Sequence, residues 1–255
     1  MSNIISCRTG MFGSAETAFE FFPKAGVLHA ECPPPSEGKY DELAKKADAT
    51  GMTIATIATQ LALDSDEAAK PFYDVIDGTA SISVPKIFVS MKAADEVPRE
   101  EVIARLRNIS EYAVERNVVL CMETHPPFGE NAAKAKAVIT EVGSTGLRYN
   151  FDTANVYYYN EGVDTISELE TVAPLVAAVH IKDTDGGFKS PNFPPVGTGV
   201  VDFPRVFEIL GGLGFSGPYT FEIEGALVSG LDPEGRLQFL KDCCNYLRTI
   251  GAIDS

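Results

Sequence analysis

Cationic side chains are in short supply: lysine and arginine total 21 against 36 aspartates and glutamates, a formal net charge of −15. A surface of that sign repels a phosphate backbone, so nucleic acid is not an expected partner. No C-x-x-C pair occurs, and the five cysteines, Cys7, Cys32, Cys121, Cys243 and Cys244, are odd in number. That argues against a disulfide framework or a zinc ribbon and implies reduced thiols. No run of about 18 apolar residues is present, and the opening MSNIISCRTGMF lacks a basic stretch followed by a long apolar one. Neither a membrane span nor a signal peptide is expected, and a cytoplasmic location is the simplest reading. No low-complexity stretch or composition break marks a linker, so residues 1–255 read as one domain. No Walker-type or glycine-rich phosphate loop stands out, so no motif supports a phosphorylated substrate.

What is present is alternation. Short apolar runs recur at Ile4–Cys7, Gly26–Ala30, Thr53–Ile57, Lys86–Ser90, Val118–Glu123, Leu147–Phe151, Ala177–Ile181 and Tyr219–Ile223. Between them lie segments with helical spacing and readable ends. Ser36 is placed to cap a helix through YDELAKKADA that stops at Gly51. Pro98 opens EVIARLRNISEYAVERN, Asn131 caps AAKAKAVITEV, Asp164 caps TISELETVAPL, and Asp232-Pro233 opens the last helix. Eight strands alternating with helices imply a parallel sheet. A (β/α)₈ TIM barrel needs roughly 250 residues, which this chain supplies. The Pro/Gly-rich segment Asp185–Gly199 reads as a long loop after strand seven, on the face where such barrels do chemistry.

There are three histidines, His29, His125 and His180, each expected at or just beyond the C-terminal end of a strand. Carboxylates join them. Glu123 ends strand five, Asp152 strand six, His180 strand seven and Glu222 strand eight. Glu123 and Asp152 are 29 residues apart and Asp152 and His180 are 28, one strand–helix unit each. His180 and Glu222 are 42 apart, and the Asp185–Gly199 loop absorbs the excess. Charged groups within apolar strands are costly unless paired or metal-bound. Three clustered carboxylates repel one another, and a divalent cation relieves that repulsion. Oxygen donors with one imidazole suit Mn²⁺, Mg²⁺ or Co²⁺ better than a thiolate-type zinc site, with Zn²⁺ kept as an alternative. The plain alternative is a salt-bridge cluster, for which Lys182 is the obvious partner. Glu224, two residues after Glu222, shares its side of the strand, so periodicity leaves both open as the last ligand.

At these residues the chain resembles the xylose isomerase-like barrel superfamily, the sugar phosphate isomerases/epimerases. The stretches that carry the resemblance are E-T-H after strand five, N-F-D-T-A-N after strand six, V-H-I-K-D after strand seven, the G-T-G-V-V-D-F turn and G-F-S-G-P-Y-T-F-E-I-E. The resemblance implies one divalent metal, Mn²⁺ foremost, held by Glu123, Asp152, His180 and a strand-eight glutamate. In similar epimerases that glutamate lies five residues after a glycine, and counting from Gly217 gives Glu222. The implied partner is a small carbohydrate, with a homo-oligomer as a further expectation.

The implied reaction is proton abstraction beside a carbonyl through an enediolate, with Glu123 and Glu222 as the two catalytic carboxylates. His29, Glu31, His125, Asn155, Lys182 and Glu224 are the expected substrate contacts. Phe188, Phe193 and the loop prolines are placed to cover a sugar, and Tyr157, Tyr158 and Tyr159 to line the pocket or meet a neighbouring subunit. The chain also departs from the ketose 3-epimerases. Asn155 stands where they carry a substrate-binding histidine, and V-H-I-K-D-T-D replaces H-x-H-T-G-E. The H-x-K-D form resembles inosose dehydratases, so a lyase acting on a keto-sugar or keto-inositol is the second reading. AP endonucleases of the superfamily need more histidines than this chain has. A sugar-binding barrel without turnover is the remaining alternative.

Overall fold

The computed structural model describes residues 3–254. Eight parallel strands close into a barrel in sequence order: β1 Ile4–Arg8, β2 His29–Cys32, β3 Thr53–Ala62, β4 Lys86–Lys92, β5 Val119–Glu123, β6 Leu147–Asp152, β7 Val176–Ile181 and β8 Pro218–Phe221. Helices follow the strands and pack on the outer surface, as the alternation predicts.

Strand parity sorts the chemistry. The outward-facing sets are apolar: Ile87, Val89 and Met91 on β4, Leu120 and Met122 on β5, Tyr149 and Phe151 on β6, Tyr219 and Phe221 on β8, all buried. They meet the apolar stripes of the helices, such as Val102, Ile103, Leu106, Ile109 and Ala113 of the helix Arg99–Glu115. Each large side chain of this interface contributes roughly 1.5–3 kcal/mol. The inward-facing sets hold the polar and charged residues, together with small apolar ones and Phe88. Arg8, Glu31, Gln60, Ser90, Asn150, Asp152 and His180 share one side of their strands through the register Arg8↔Glu31, Glu31↔Thr56, Gln60↔Ser90, Asn150↔Ala178 and Asp152↔His180.

Most element ends fall where the sequence puts them. Asn131 Oδ1 accepts the N–H of Lys134 at 3.0 Å and caps the helix Ala132–Val142. Asp164 caps Thr165–Val172, and Asp232 caps Pro233–Thr249. Three expectations are corrected. Strand three runs on to Ala62 rather than ending at Ile57, because it stays paired with β4 through Ala62↔Lys92. Strand two begins at His29, not Gly26, because Gly26 takes φ +82 and closes the 3-10 turn Phe22–Ala25. The helix after strand two begins at Tyr40, with no side-chain cap. Ser36 instead heads a 3-10 turn in which Glu37 is left-handed at φ 57.

Candidate metal centre and active site

Asp152 is the last residue of β6, and the chain turns directly after it. The backbone N–H groups of Ala154 and Asn155 both donate to Asp152 Oδ1 at 2.8 Å. That turn fixes the carboxylate and leaves Oδ2 without a hydrogen bond in a fully buried setting. His180 stands beside it on β7, also fully buried, its ring stacked on Phe88 at 4.5 Å. His180 Nε2 lies 3.3 Å from Glu31 Oε2, and Nδ1 has no hydrogen-bond partner. Glu222, just beyond β8 and 5% exposed, comes within 3.5 Å of His180 Nδ1. Asp152, His180 and Glu222 offer ligand atoms within 4.8 Å of one another, and no other group of this kind occurs among the described residues.

Two cations neutralise the carboxylates. Arg8, at the end of β1, pairs with Glu222 and lies 3.2 Å from Glu31. Lys182 Nζ, 2% exposed, lies 2.6 Å from Glu222, 2.7 Å from Glu224 and 3.2 Å from Asp152. Burial alone would push the Lys182 ammonium down, but Asp152 and Glu224 outweigh it and hold it above its ordinary value. Burial likewise opposes the Glu31 carboxylate, and the neighbouring His180 and Arg8 outweigh it and pull the pKa down. The lysine therefore gives the salt-bridge alternative a concrete form. It reaches Asp152 Oδ2 as an ion pair at 3.2 Å without forming a hydrogen bond there, and it does not reach His180 Nδ1, which has no hydrogen-bond partner. A buried carboxylate oxygen held only by an ion pair, 3.9 Å from an imidazole nitrogen with no hydrogen bond, fits a divalent cation.

A cavity of about 610 Å³, in the range of small-molecule sites, meets this cluster at Glu222, while Asp152, His180 and Lys182 stay buried outside its lining. Glu123, His125, Asn155, Glu222 and Glu224 line it, with Arg8, Phe88, Tyr158, Tyr159 and Phe193. Asn155 Nδ2 donates to Thr124 O at 3.2 Å. His125 meets the ring of Tyr159 edge-on at 5.1 Å. Burial, then the charges of Glu123 and Asp152, push the Tyr159 hydroxyl up, so it stays a donor.

The expected residues separate into three groups. Asp152, His180 and Glu222 come together, and Glu224, 49% exposed, sits further out on the other side of Lys182. Glu123 lines the cavity without joining the cluster, since its register partner is Asn150 rather than Asp152. Glu31 is buried behind His180 instead of lining the cavity, and His29 falls at the first residue of β2, away from it. The expectation that all three histidines sit at C-terminal strand ends is thus corrected for His29. Phe193 and Tyr158 reach the cavity, whereas Phe188 is 44% exposed and does not line it.

Two contributors escaped the sequence reading. Arg8 belongs to no motif, and its partner Glu222 is 214 residues away. Asp183 holds the long loop: its carboxylate accepts the N–H groups of Thr184, Gly197, Gly199 and Val201 at 2.8–3.2 Å. Gly199 permits that wrapping, because a Cβ there would lie 2.2 Å from Thr184 O. The D in V-H-I-K-D, followed by G-T-G, was the available signal.

Known proteins agree with this architecture. An L-ribulose-5-phosphate 3-epimerase, UlaE, from Escherichia coli is 33% identical over 120 residues, 46% of this chain and 40% of that protein. The chain thus matches less than half the length of that relative. Among solved structures, D-psicose 3-epimerase with D-tagatose from Clostridium cellulolyticum H10 superposes with a TM-score of 0.78 at 15% identity, covering 98% of this chain and 99% of the other. An IOLI protein with a bound zinc atom gives 0.78 at 17%, covering 98% and 99%. At these identities the superpositions show the fold. A family model described as xylose isomerase-like TIM barrel matches residues 16–243, and the chain belongs to that family.

Proposed function

We propose that this chain is a divalent-metal-dependent isomerase or epimerase of a sugar or keto-polyol, working by proton removal next to a carbonyl. The observation that carries this reading is the buried cluster of Asp152, His180 and Glu222, whose ligand atoms lie within 4.8 Å of one another, with His180 Nδ1 free of any hydrogen bond and Glu222 lining the cavity. Asp152, His180 and Glu222 would hold the ion, with Glu123 as the proposed fourth donor. When bound, the metal (Mn²⁺ foremost, with Mg²⁺, Co²⁺ or Zn²⁺ as alternatives) supplies Lewis-acid polarisation of the carbonyl and its neighbouring hydroxyl.

The chain's own residues do the rest. Glu123 follows from β5 and Glu222 from β8, so they approach a bound sugar from different walls. One takes the proton from carbon and the other returns it to the opposite face, which inverts the centre. His125, Asn155 and the Tyr159 hydroxyl offer hydrogen bonds to sugar hydroxyls. Phe193 and Tyr158 cover the site and exclude water. The curated name of the Escherichia coli relative supports a ketose as substrate.

Lys182 favours a second reading. Its buried ammonium lies 2.7 Å from Glu224, which lines the cavity, so a proton passed through Glu224 to a departing hydroxyl would make the enzyme a dehydratase of a keto-sugar or keto-inositol. Incubation in D₂O with ketoses, keto-inositols and 3-keto sugars separates the two. Deuterium wash-in without loss of water is the expected result, and Glu222→Gln should abolish it. A new enone absorbance means dehydration. Wild-type exchange in Glu222→Gln overturns the assignment.

A further inference from the structure

The cavity has two chemically unlike walls. One side carries the acids Glu123, Glu222 and Glu224, with Asp152 and His180 buried next to Glu222. The wall from β3 and β4 carries no acid: Gln60 faces Ser90 in register, Ala62 faces Lys92, and Gln60, Ser90 and Lys92 all line the cavity. Of the three cations lining or bordering the cavity, Arg8 is committed to Glu31 and Glu222, and Lys182 to Asp152, Glu222 and Glu224. Lys92 has no ion pair among the described residues, although Glu123 and Glu224 line the same cavity. The side chains of Gln60 and Ser90 likewise form no hydrogen bond among the described residues. Lys92 and Gln60 are exposed at the edge of the cavity, and in a chain of net charge −15 an ammonium there without a carboxylate partner attracts an anion.

The spacing suits the far end of a short carbon chain. Phe88 stacks on His180, and Lys92 lies four residues further along β4, roughly 13 Å up the strand at 3.3 Å per residue. A lysine side chain reaching back about half that distance meets the end of a five- or six-carbon chain anchored beside Glu222.

We propose that Gln60, Ser90 and Lys92 form a subsite for a terminal anion of the substrate, a carboxylate or a phosphate ester, remote from Asp152, His180 and Glu222. The inference rests on the proposed function for where the rest of the substrate lies. It needs no phosphate-loop motif, because the donors are side chains of two neighbouring strands.

The test measures binding of a ketopentose, its 5-phosphate and a keto-aldonate to metal-loaded wild-type, Lys92→Met and Lys189→Met proteins, with metal content assayed in each. Lys189 stands on the Asp185–Gly199 loop, exposed and outside the cavity lining, and controls for general charge. Lys92→Met should lose at least tenfold in affinity for an anionic sugar, keep the neutral sugar within twofold and keep its metal; Lys189→Met should lose neither. A loss confined to the phosphate or to the keto acid identifies the anion. Equal anionic affinity in wild type and Lys92→Met, with metal in place, overturns the subsite. If the wild type binds neither metal nor sugar, the proposed function fails instead. Line broadening of inorganic phosphate in ³¹P spectra then reads the subsite directly: its loss in Lys92→Met supports it, and equal broadening overturns it.

Discussion

His180 gives one ring nitrogen to Glu31 and keeps the other free: Nε2 lies 3.3 Å from Glu31 Oε2, while the buried Nδ1 has no hydrogen-bond partner. A histidine that donates Nε2–H to a carboxylate presents its Nδ1 lone pair to a metal, with orientation and basicity set by the partner. Glu31→Gln should therefore weaken divalent-metal binding by about 10–100-fold while the barrel stays folded. Competition with a chelator of known affinity measures this, and unchanged affinity would detach Glu31 from the site.

Lys182 makes the opposite prediction. Its ammonium sits 3.2 Å from Asp152 and 2.6 Å from Glu222, so a divalent ion held by those carboxylates must share them with a like charge. Lys182→Met removes that repulsion and also leaves the metal-free carboxylates unneutralised. Both effects favour the ion, and affinity should rise by about one to two orders of magnitude. Turnover should fall. A drop in metal affinity would mean that Lys182 supports the metal-bound arrangement.

Much of this was readable in advance, for physical reasons that differ by residue. The eight strands announce themselves because their outward faces must be apolar to meet the helices, as in Ile87, Val89 and Met91. Asp152 and His180 are conspicuous because charge inside an apolar run is costly. Strand two is misplaced because Gly26-Val27-Leu28 has strand-like composition, and only the left-handed φ of Gly26 removes it from the sheet. Equal spacing along the chain places Glu123 level with Asp152, but the register pairs it with Asn150. Arg8 was invisible because its role depends on Glu222, which only barrel closure brings near.

Asp183 predicts a stability effect that leaves Asp152, His180 and Glu222 untouched. Asp183→Ala strands four backbone N–H groups that now share its carboxylate. The cost is roughly 3 kcal/mol, equivalent to a fall in Tm of roughly 6–12 °C. Limited proteolysis should then cut between Asp185 and Gly199, and the same cut rate as wild type would contradict the anchoring role.

Asp164 ties stability to pH. Hydrogen bonds from Ser167 and Ile166 hold its carboxyl below the ordinary 3.8. A depressed carboxyl stabilises the fold above its unfolded pKa, and that contribution is lost as pH falls through the folded value. Asp164→Ala should cost about 1 kcal/mol at neutral pH, with the gap to wild type closing below the ordinary 3.8. A gap independent of pH would show that the ionised cap is not responsible.

All five cysteines are buried and free, and burial pushes the Cys32, Cys121 and Cys243 thiols up to about 12. The folded protein should release no thionitrobenzoate from a disulfide reagent within minutes, and the unfolded chain should release five equivalents.

The proposed function requires Asp152 Oδ2 and His180 Nδ1 to bind a divalent cation, over and above the ion pair that Asp152 forms with Lys182. Titration of metal-stripped protein with Mn²⁺, followed by electron paramagnetic resonance of the free ion, tests it directly. One Mn²⁺ per chain, lost in Asp152→Asn and in His180→Gln, is the predicted result. Free Mn²⁺ that remains undiminished by the wild-type protein, or binding that survives both substitutions, would contradict it.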